Sequence, residues 1–245
     1  MQCTKTVTMQ TQVFRSESRG RADYGWLKAN YSFSFANYYN PERMSFGVLR
    51  VLNDDTISPS TGFDTHPHDN MEIITIPLSG RVAHKDSMGH SSFIESGQIQ
   101  VMSAGKGIFH SEFNGSDTED LKLFQIWLMP NEKNVEPRYQ TLWLNQLAVK
   151  NELYQIVSPN KEDEGAWIYQ DAWFHMGQFD ADWNGQYAIK KTGNGLFVMV
   201  IEGEASIGEQ VLKSRDAIGI THFTDIAINA RANTRILLMD VPMNY

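Results

Sequence analysis

The chain has 245 residues, 41% hydrophobic and 11% aromatic, which can fill one large core or two smaller ones. Its formal net charge of -8 argues against nucleic acid as a partner, because phosphate backbones are bound by basic surfaces. We expect a cytoplasmic protein with no membrane span and no signal peptide, because the sequence lacks apolar segments of the required length.

Short apolar segments rich in Ile, Val, Phe and Met recur along the chain, separated by Gly, Asn, Asp and Ser. This spacing predicts an all-β fold of the sandwich or barrel type. The predicted strands cover residues 46–52, 71–78, 98–102, 121–129, 197–201 and 235–241. Helical periodicity is weak, and residues 143–149 could form either a short helix or a strand.

The predicted strand 71–78 is apolar on both faces, which indicates that it is covered on both sides. One face holds Glu72 and Ile74, and continuing that face backwards along the chain reaches His68 and His66. If the strand is continuous, the two histidines point into the same interior as Ile74.

The chain divides near the polar, proline-containing segment 130–139, which has the composition of a linker. Beyond it, residues 196–207 repeat the plan of residues 74–84, in which an apolar strand is followed by a glycine and a second strand. This repeat predicts two β-barrels of the same design, one in residues 1–130 and one in residues 131–245.

Two residue-skipping pairs, His66 with His68 and His110 with Glu112, are the candidate metal ligands. Side chains at positions i and i+2 of a strand share a face, with their Cα atoms about 6–7 Å apart. Two such pairs on neighbouring strands could therefore hold one ion. Imidazole and carboxylate without thiolate suit Fe(II), Mn, Co, Ni, Cu or Zn, and this set leaves positions open for a substrate or O2.

Glu72 competes with Glu112 for the role of the carboxylate ligand. It lies four residues beyond His68, about 13 Å along an extended strand. Glu112 is only two residues from His110. We therefore favour Glu112 as the ligand and keep Glu72 as a supporting or substitute ligand.

Other candidate residues carry weaker signals. His84 and His90 flank a turn and are interpreted as polar residues of a hairpin. The single cysteine, Cys3, cannot form an internal disulfide and is not expected to be a catalytic thiol. The sequence has no G-x-S-x-G elbow and no Cys-x-x-Cys motif, so it does not support triad hydrolysis or thiol redox chemistry.

The repeat also tests whether the second barrel binds a metal. Aligning Gly80 with Gly203 assigns a second-half position to each of the four candidate ligands. Those positions are Ile189, Lys191, Ile228 and Ala230. Because none of them is a metal-ligating residue type, we expect one metal site, in the first half.

Four segments carry a family resemblance: 25–55, 62–89 with its His-Pro-His, 101–114 with its S-A-G-K-G-I-F-H-S-E, and 123–130. In these segments the sequence resembles the pirin family, in its bacterial quercetin 2,3-dioxygenase-like branch. Members of the family are bicupins, with two cupin barrels of the double-stranded β-helix or jelly-roll type. The likeness covers the first half and is looser in the second.

The resemblance implies that His66, His68, His110 and Glu112 coordinate one metal, with Fe(II) as the first candidate. It also implies an oxidoreductase that cleaves flavonols such as quercetin with O2 and releases CO. Glu112 would take the proton of the 3-hydroxyl group before the ring reacts with O2. The residues that we expect to form aromatic walls of the substrate pocket are Phe63, Phe109, Phe124 and Trp127.

Two alternatives stay open at this point. The chain could be a regulatory protein whose contact with a protein partner depends on metal or redox state, as the animal pirins suggest. It could also be a cupin that acts on another small hydroxylated or carbonyl compound. The acidic, bacterial-looking sequence favours the flavonol enzyme.

Overall fold

The computed structural model describes residues 8–244, which form strands and two short 3₁₀ helices, with no α-helix in that range. Cys3 lies outside the described residues. The strands of the first half are β1 (Gln10–Phe14), β2 (Gly20–Asp23), β3 (Leu27–Tyr31), β4 (Leu49–Ile57), β5 (Gly62–His68), β6 (Glu72–Ser79), β7 (Arg81–Asp86), β8 (Ser91–Glu95), β9 (Gln98–Ser103), β10 (Ile108–Asn114) and β11 (Leu121–Leu128).

The remaining strands are β12 (Arg138–Trp143), β13 (Leu153–Ser158), β14 (Ala166–Trp167), β15 (Trp173–Phe179), β16 (Trp183–Ala188), β17 (Asn194–Glu202), β18 (Glu204–Ile207), β19 (Gln210–Lys213), β20 (Ala217–Thr221), β21 (Asp225–Ala230) and β22 (Thr234–Pro242). The 3₁₀ helices are Ser16–Ser18 and Leu144–Gln146. The all-β prediction is therefore confirmed. Within residues 8–244, no helix is long and apolar enough to cross a membrane.

The two halves have the same sheet plan. The first half has a seven-stranded sheet in the order β12-β9-β6-β11-β4-β3-β2 and a four-stranded sheet in the order β5-β10-β7-β8. The second half has a seven-stranded sheet, β1-β20-β17-β22-β15-β13-β14, and a four-stranded sheet, β16-β21-β18-β19. The predicted repeat of a barrel is confirmed. The glycines used to align the two halves are also equivalent in the structure. Gly80 and Gly203 both adopt a positive φ, 77° and 85°, where the chain passes from the seven-stranded to the four-stranded sheet of each half.

Strands cross between the halves. The N-terminal strand β1 pairs with β20 of the second half, and β12, which follows the linker segment, pairs with β9 of the first half. The division near residue 130 stays a prediction, and each side of it supplies one edge strand to the other side.

The largest hydrophobic core joins the two halves. It contains Phe124 and Ile126 from β11 together with Phe197 and Met239 from the second half, so the two seven-stranded sheets pack against each other. Smaller cores lie inside each barrel, between its seven-stranded and four-stranded sheets. In the first barrel this inner core leaves a cavity, which is lined in part by the seven-stranded sheet.

The histidines and residues 72–79 do not form one continuous strand, so the condition set for a shared interior is not met. The chain turns after His68, where Asn70 adopts a positive φ of 45°, and β5 and β6 belong to different sheets. Ile74 faces the core between the halves, whereas Thr75 faces the barrel interior and contacts Glu112. The histidines therefore share an interior with Thr75 and not with Ile74.

Candidate metal centre

Two adjacent antiparallel strands bring the candidate ligands together. His66 and His68 lie on β5, and His110 and Glu112 lie on β10 beside it. His110 pairs directly with His66 in the register of the two strands. A β-bulge between His110 and Glu112 then shifts the register.

The three histidines form one cluster. A ring nitrogen from each of His66, His68 and His110 lies within 4.8 Å of the other two. The ring centroids of His66 and His110 are 4.4 Å apart, and that of His68 is 4.9 Å from each of them. A second group with the same spacing contains Glu112, His110 and His84, so His110 belongs to both groups.

The histidine cluster fits a metal ion because its rings offer nitrogen atoms that are unprotonated and free of other hydrogen bonds. His66 Nδ1 donates to the Asp64 carbonyl oxygen over 2.7 Å, which leaves Nε2 as the nitrogen free to ligate. Burial, together with the smaller effect of neighbouring histidines, lowers the pKa of His68 to about 4 and that of His110 to about 3. These rings are neutral near pH 7, and both nitrogens of the buried His110 lack a partner within the described chain.

Three neutral side chains hold the Glu112 carboxylate. Gln125 Nε2 donates to Oε2 over 2.9 Å, and Thr75 Oγ donates to Oε1 over 3.2 Å. Gln100 Nε2 lies 3.5 Å from Oε1. The three donors occupy one register row across β9, β6 and β11. Sequence reasoning missed this row, although polar residues at inward positions of otherwise apolar strands were a signal for it.

His84 lies in the β7–β8 hairpin, as expected, but its ring is buried beside two of the candidate ligands, His110 and Glu112. His84 is 2% exposed, pairs with Glu112 in the β7–β10 register, and its ring centroid lies 5.4 Å from that of His110. Its Nε2 is 3.3 Å from Asp86 Oδ2, which also accepts from His90 Nδ1 over 2.8 Å. Strand alternation from Gly80 would have placed His84 on the inner face with Val82.

An aromatic cavity of about 510 Å³ opens beside the cluster. Of the four aromatic residues expected to line it, Phe63 and Trp127 do so. Phe109 is 55% exposed on the other face of β10, and Phe124 is fully buried in the core between the halves, so these two expectations are wrong. Other residues that line the cavity are Tyr24, Trp26, Tyr31, Phe35, Asn53 and Asp55.

Glu72 lies away from both clusters. Its carboxylate accepts a hydrogen bond from Ser103 Oγ over 2.7 Å on the face of β6 that is turned from the site. Burial raises the pKa of Glu72 to about 7, against the opposing effects of Ser103, the Tyr169 backbone and Arg138. The structure therefore separates Glu72 from the histidines, and Glu112 is the carboxylate beside them.

The second barrel has no such cluster within the described residues. Its strand register corrects the sequence alignment by two residues, because Ile207 pairs with Ile228 as His84 pairs with Glu112. The positions equivalent to the four candidate ligands are Tyr187, Ile189, Ile226 and Ile228. None of these is a His, Asp, Glu or Cys. A single metal site, in the first barrel, stays a prediction.

Comparison with known proteins agrees with this architecture. The family model described as Pirin matches residues 12–128, and the one described as Quercetinase C-terminal cupin domain matches residues 155–241. A protein named quercetin 2,3-dioxygenase from Escherichia coli (strain K12) is 38% identical over 228 residues, which are 93% of this chain and 97% of that protein. A pirin-like protein from Caulobacter vibrioides is 37% identical, over 90% of this chain and 95% of that one.

The fold is also found in a solved structure. The bacterial pirin YhhW from Escherichia coli, in complex with nickel(II), matches with a TM-score of 0.90 and 36% identity. The match covers 95% of this chain and 99% of YhhW. The two barrels of this chain are cupin domains, as the family models and the fold indicate. The chain therefore belongs to the pirin family.

Proposed function

We propose that this protein is a metal-dependent dioxygenase that cleaves flavonols such as quercetin with O2 and releases CO. The observation that carries the proposal is the cluster of His66, His68 and His110, which opens onto an aromatic-lined cavity beside the Glu112 carboxylate. The names of the relatives support the same reaction class. A cytoplasmic location stays an expectation from the sequence.

We assign His66, His68, His110 and Glu112 as the metal ligands, with Fe(II) as the first candidate and nickel as the second. A metal bound there would supply open coordination positions and Lewis acidity toward a substrate oxygen. The hydrogen bond from His66 Nδ1 to Asp64 fixes the tautomer that presents Nε2. His84 lies within 4.8 Å of both His110 and Glu112, and we assign it no role as a ligand.

Glu112 is the residue best placed to move a proton. A flavonol bound through its 3-hydroxyl and 4-keto oxygens must lose the hydroxyl proton to become electron-rich. Glu112 is buried, and Gln125 and Thr75 orient its two oxygens. One carboxylate oxygen can accept the proton while those donors keep the group in place.

The cavity supplies the rest of the binding site. Its walls include Trp26, Phe63 and Trp127, with Trp26 and Phe63 in edge-to-face contact at 5.1 Å between centroids. A volume of about 510 Å³ falls within the range for small-molecule sites, which run from about 300 to 1,000 Å³. Flat aromatic ligands fit such walls, and their binding excludes water from Glu112.

The test measures bound metal, O2 uptake and CO release with quercetin on the same sample. Protein loaded with Fe(II), and separately with Ni(II), should bind one metal per chain and release CO. The variant His110→Ala should lose both properties and keep its fold by circular dichroism. The matched control is His222→Ala, an exposed histidine of the second half, which should keep both.

Two results would contradict the proposal in different ways. Stoichiometric metal without CO would remove the flavonol reaction, keep the metal site and favour the regulatory alternative. Failure to bind metal after loading with either ion would remove the site itself.

A further inference from the structure

Two neighbouring aspartates on β4 have opposite surroundings. Asp54 points out of the barrel, where its carboxylate lies 3.1 Å from Arg19 Nη1 and 3.2 Å from Arg215 Nε. Asp55, one residue later, points into the barrel and lines the cavity. It is 4% exposed, and its Oδ1 has no hydrogen-bond partner within residues 8–244.

Asn53 repeats this situation two residues earlier on the same face. It is buried, lines the same cavity, and its Oδ1 likewise has no partner in the described part of the chain. A buried polar atom without a partner destabilises a fold, because it loses its hydrogen bonds to water and gains none in return. Two such acceptors on one cavity wall need an explanation, and a bound ligand supplies one.

The two acceptors lie on β4, the strand next to the one that supplies Gln125. Asn53 pairs in register with Gln125, which donates to Glu112. Asp55 is one strand over and two residues along, so its Cα is about 8 Å from that of Gln125. A ligand held beside Glu112 could extend one ring toward Asp55.

The protonation of Asp55 suits a hydroxyl group. Burial raises the pKa of Asp55 to about 8, with smaller contributions from the charges of Asp54 and Glu112. Near pH 7 its carboxyl group can therefore both donate and accept, while the Asn53 oxygen accepts. A phenolic hydroxyl, which is also both donor and acceptor, complements this pair.

We propose that Asp55 and Asn53 form a specificity subsite for a hydroxyl group on a ligand ring remote from the metal-binding oxygens. The inference rests on the proposed function for the placement of the ligand beside Glu112. It assigns the preferred ligands as polyhydroxylated aromatic compounds. Flavonols whose outer rings lack hydroxyl groups should bind less well.

The test compares quercetin with 3-hydroxyflavone, which share the 3-hydroxyl and 4-keto oxygens. Only quercetin carries hydroxyls on its outer rings. Binding to the Ni(II)-loaded protein is measured without O2 by quenching of tryptophan fluorescence, since Trp26 and Trp127 line the cavity. Bound metal is quantified for each variant.

The variant Asp55→Leu should raise the dissociation constant of quercetin about tenfold and leave that of 3-hydroxyflavone within about twofold. Asn53→Leu should act in the same direction and serves if Asp55→Leu does not fold. The matched control is Asp180→Leu, at an exposed carboxylate paired with Lys150, and it should change neither constant.

An equal loss for both ligands, or no loss for either, would overturn the subsite. Selective loss in a protein that releases no CO would keep the subsite and remove the proposed reaction. If the variants left the selectivity for quercetin unchanged in a protein that does release CO, the proposed reaction would stand and the subsite would fall. If the unsubstituted protein bound neither compound, both proposals would fall.

Discussion

Replacing Glu72 with glutamine should separate its structural role from metal binding. Glu72 is buried on the far face of β6, and its oxygens accept hydrogen bonds from Ser103 and the Tyr169 backbone. Glutamine keeps an accepting oxygen there and removes the titratable proton. We expect the Glu72→Gln variant to bind as much metal as the unsubstituted protein and to lose one source of pH-dependent stability.

The raised pKa of Glu72 determines the size and sign of the effect. The group titrates at about 7 in the folded protein and at its ordinary 4.5 when unfolded. Below pH 4.5 the group is protonated in both states. Between pH 4.5 and about pH 7 it loses its proton in the unfolded state and keeps it in the folded state. The stability of the unsubstituted protein therefore falls relative to the variant. The difference should grow by about 2–3 kcal/mol between pH 5 and pH 8, at 1.36 kcal/mol per tenfold change.

Urea unfolding of the metal-free proteins at several pH values measures this difference, and elemental analysis of the metal-loaded proteins measures the ion. Glu136→Gln is the matched control, because Glu136 is exposed and forms a surface ion pair with Lys106. A stability difference that does not change with pH would refute the argument from burial. Loss of the metal in Glu72→Gln would refute the placement of Glu72 outside the site.

Two further predictions concern the support of Glu112 and the core between the halves. Gln125→Leu removes a hydrogen-bond donor to Glu112 and should weaken metal affinity by about 10–100-fold, measured by competition with a chelator. An unchanged affinity would show that the position of Glu112 does not depend on the Gln125 side-chain amide. Phe124→Ala should lower the free energy of unfolding by about 3–5 kcal/mol, because Phe124 is fully buried. Phe109→Ala, at an exposed position, should change it by less than about 0.5 kcal/mol, and similar losses for both would contradict their placement.

Local spacing was sufficient to predict that the two strands with the candidate ligands lie together. The pair His66 and His68, and the pair His110 and Glu112, each obey the two-residue period of a strand, and the structure places the two strands side by side. The same rule failed where it was extended through the turn at Asn70, because a chain reversal resets which face a side chain occupies. Periodicity is therefore reliable within a strand and uninformative across an unrecognised turn.

The support of Glu112 could not be predicted from local spacing. Gln100, Thr75 and Gln125 are far apart in sequence and meet only because β9, β6 and β11 pair in one particular register. The end of β4 was missed for a related reason. Asn and Asp are depleted in strands, so the sequence predicted that this strand stops at residue 52, whereas Asn53 and Asp55 continue it with polar groups facing the cavity.

Comparison with the second barrel separates the residues that the fold requires from those that the candidate site requires. The register row of donors to Glu112 has an equivalent row in the second half, on β20, β17 and β22. The donors Gln100, Thr75 and Gln125 correspond there to Ile218, Val198 and Leu238. These three aliphatic residues belong to the core of the second barrel. The fold thus accepts an apolar row at the same positions, and apolar packing is generally at least as stabilising as a buried polar network. The polar row in the first barrel is therefore best explained by the need to orient Glu112 beside the histidines.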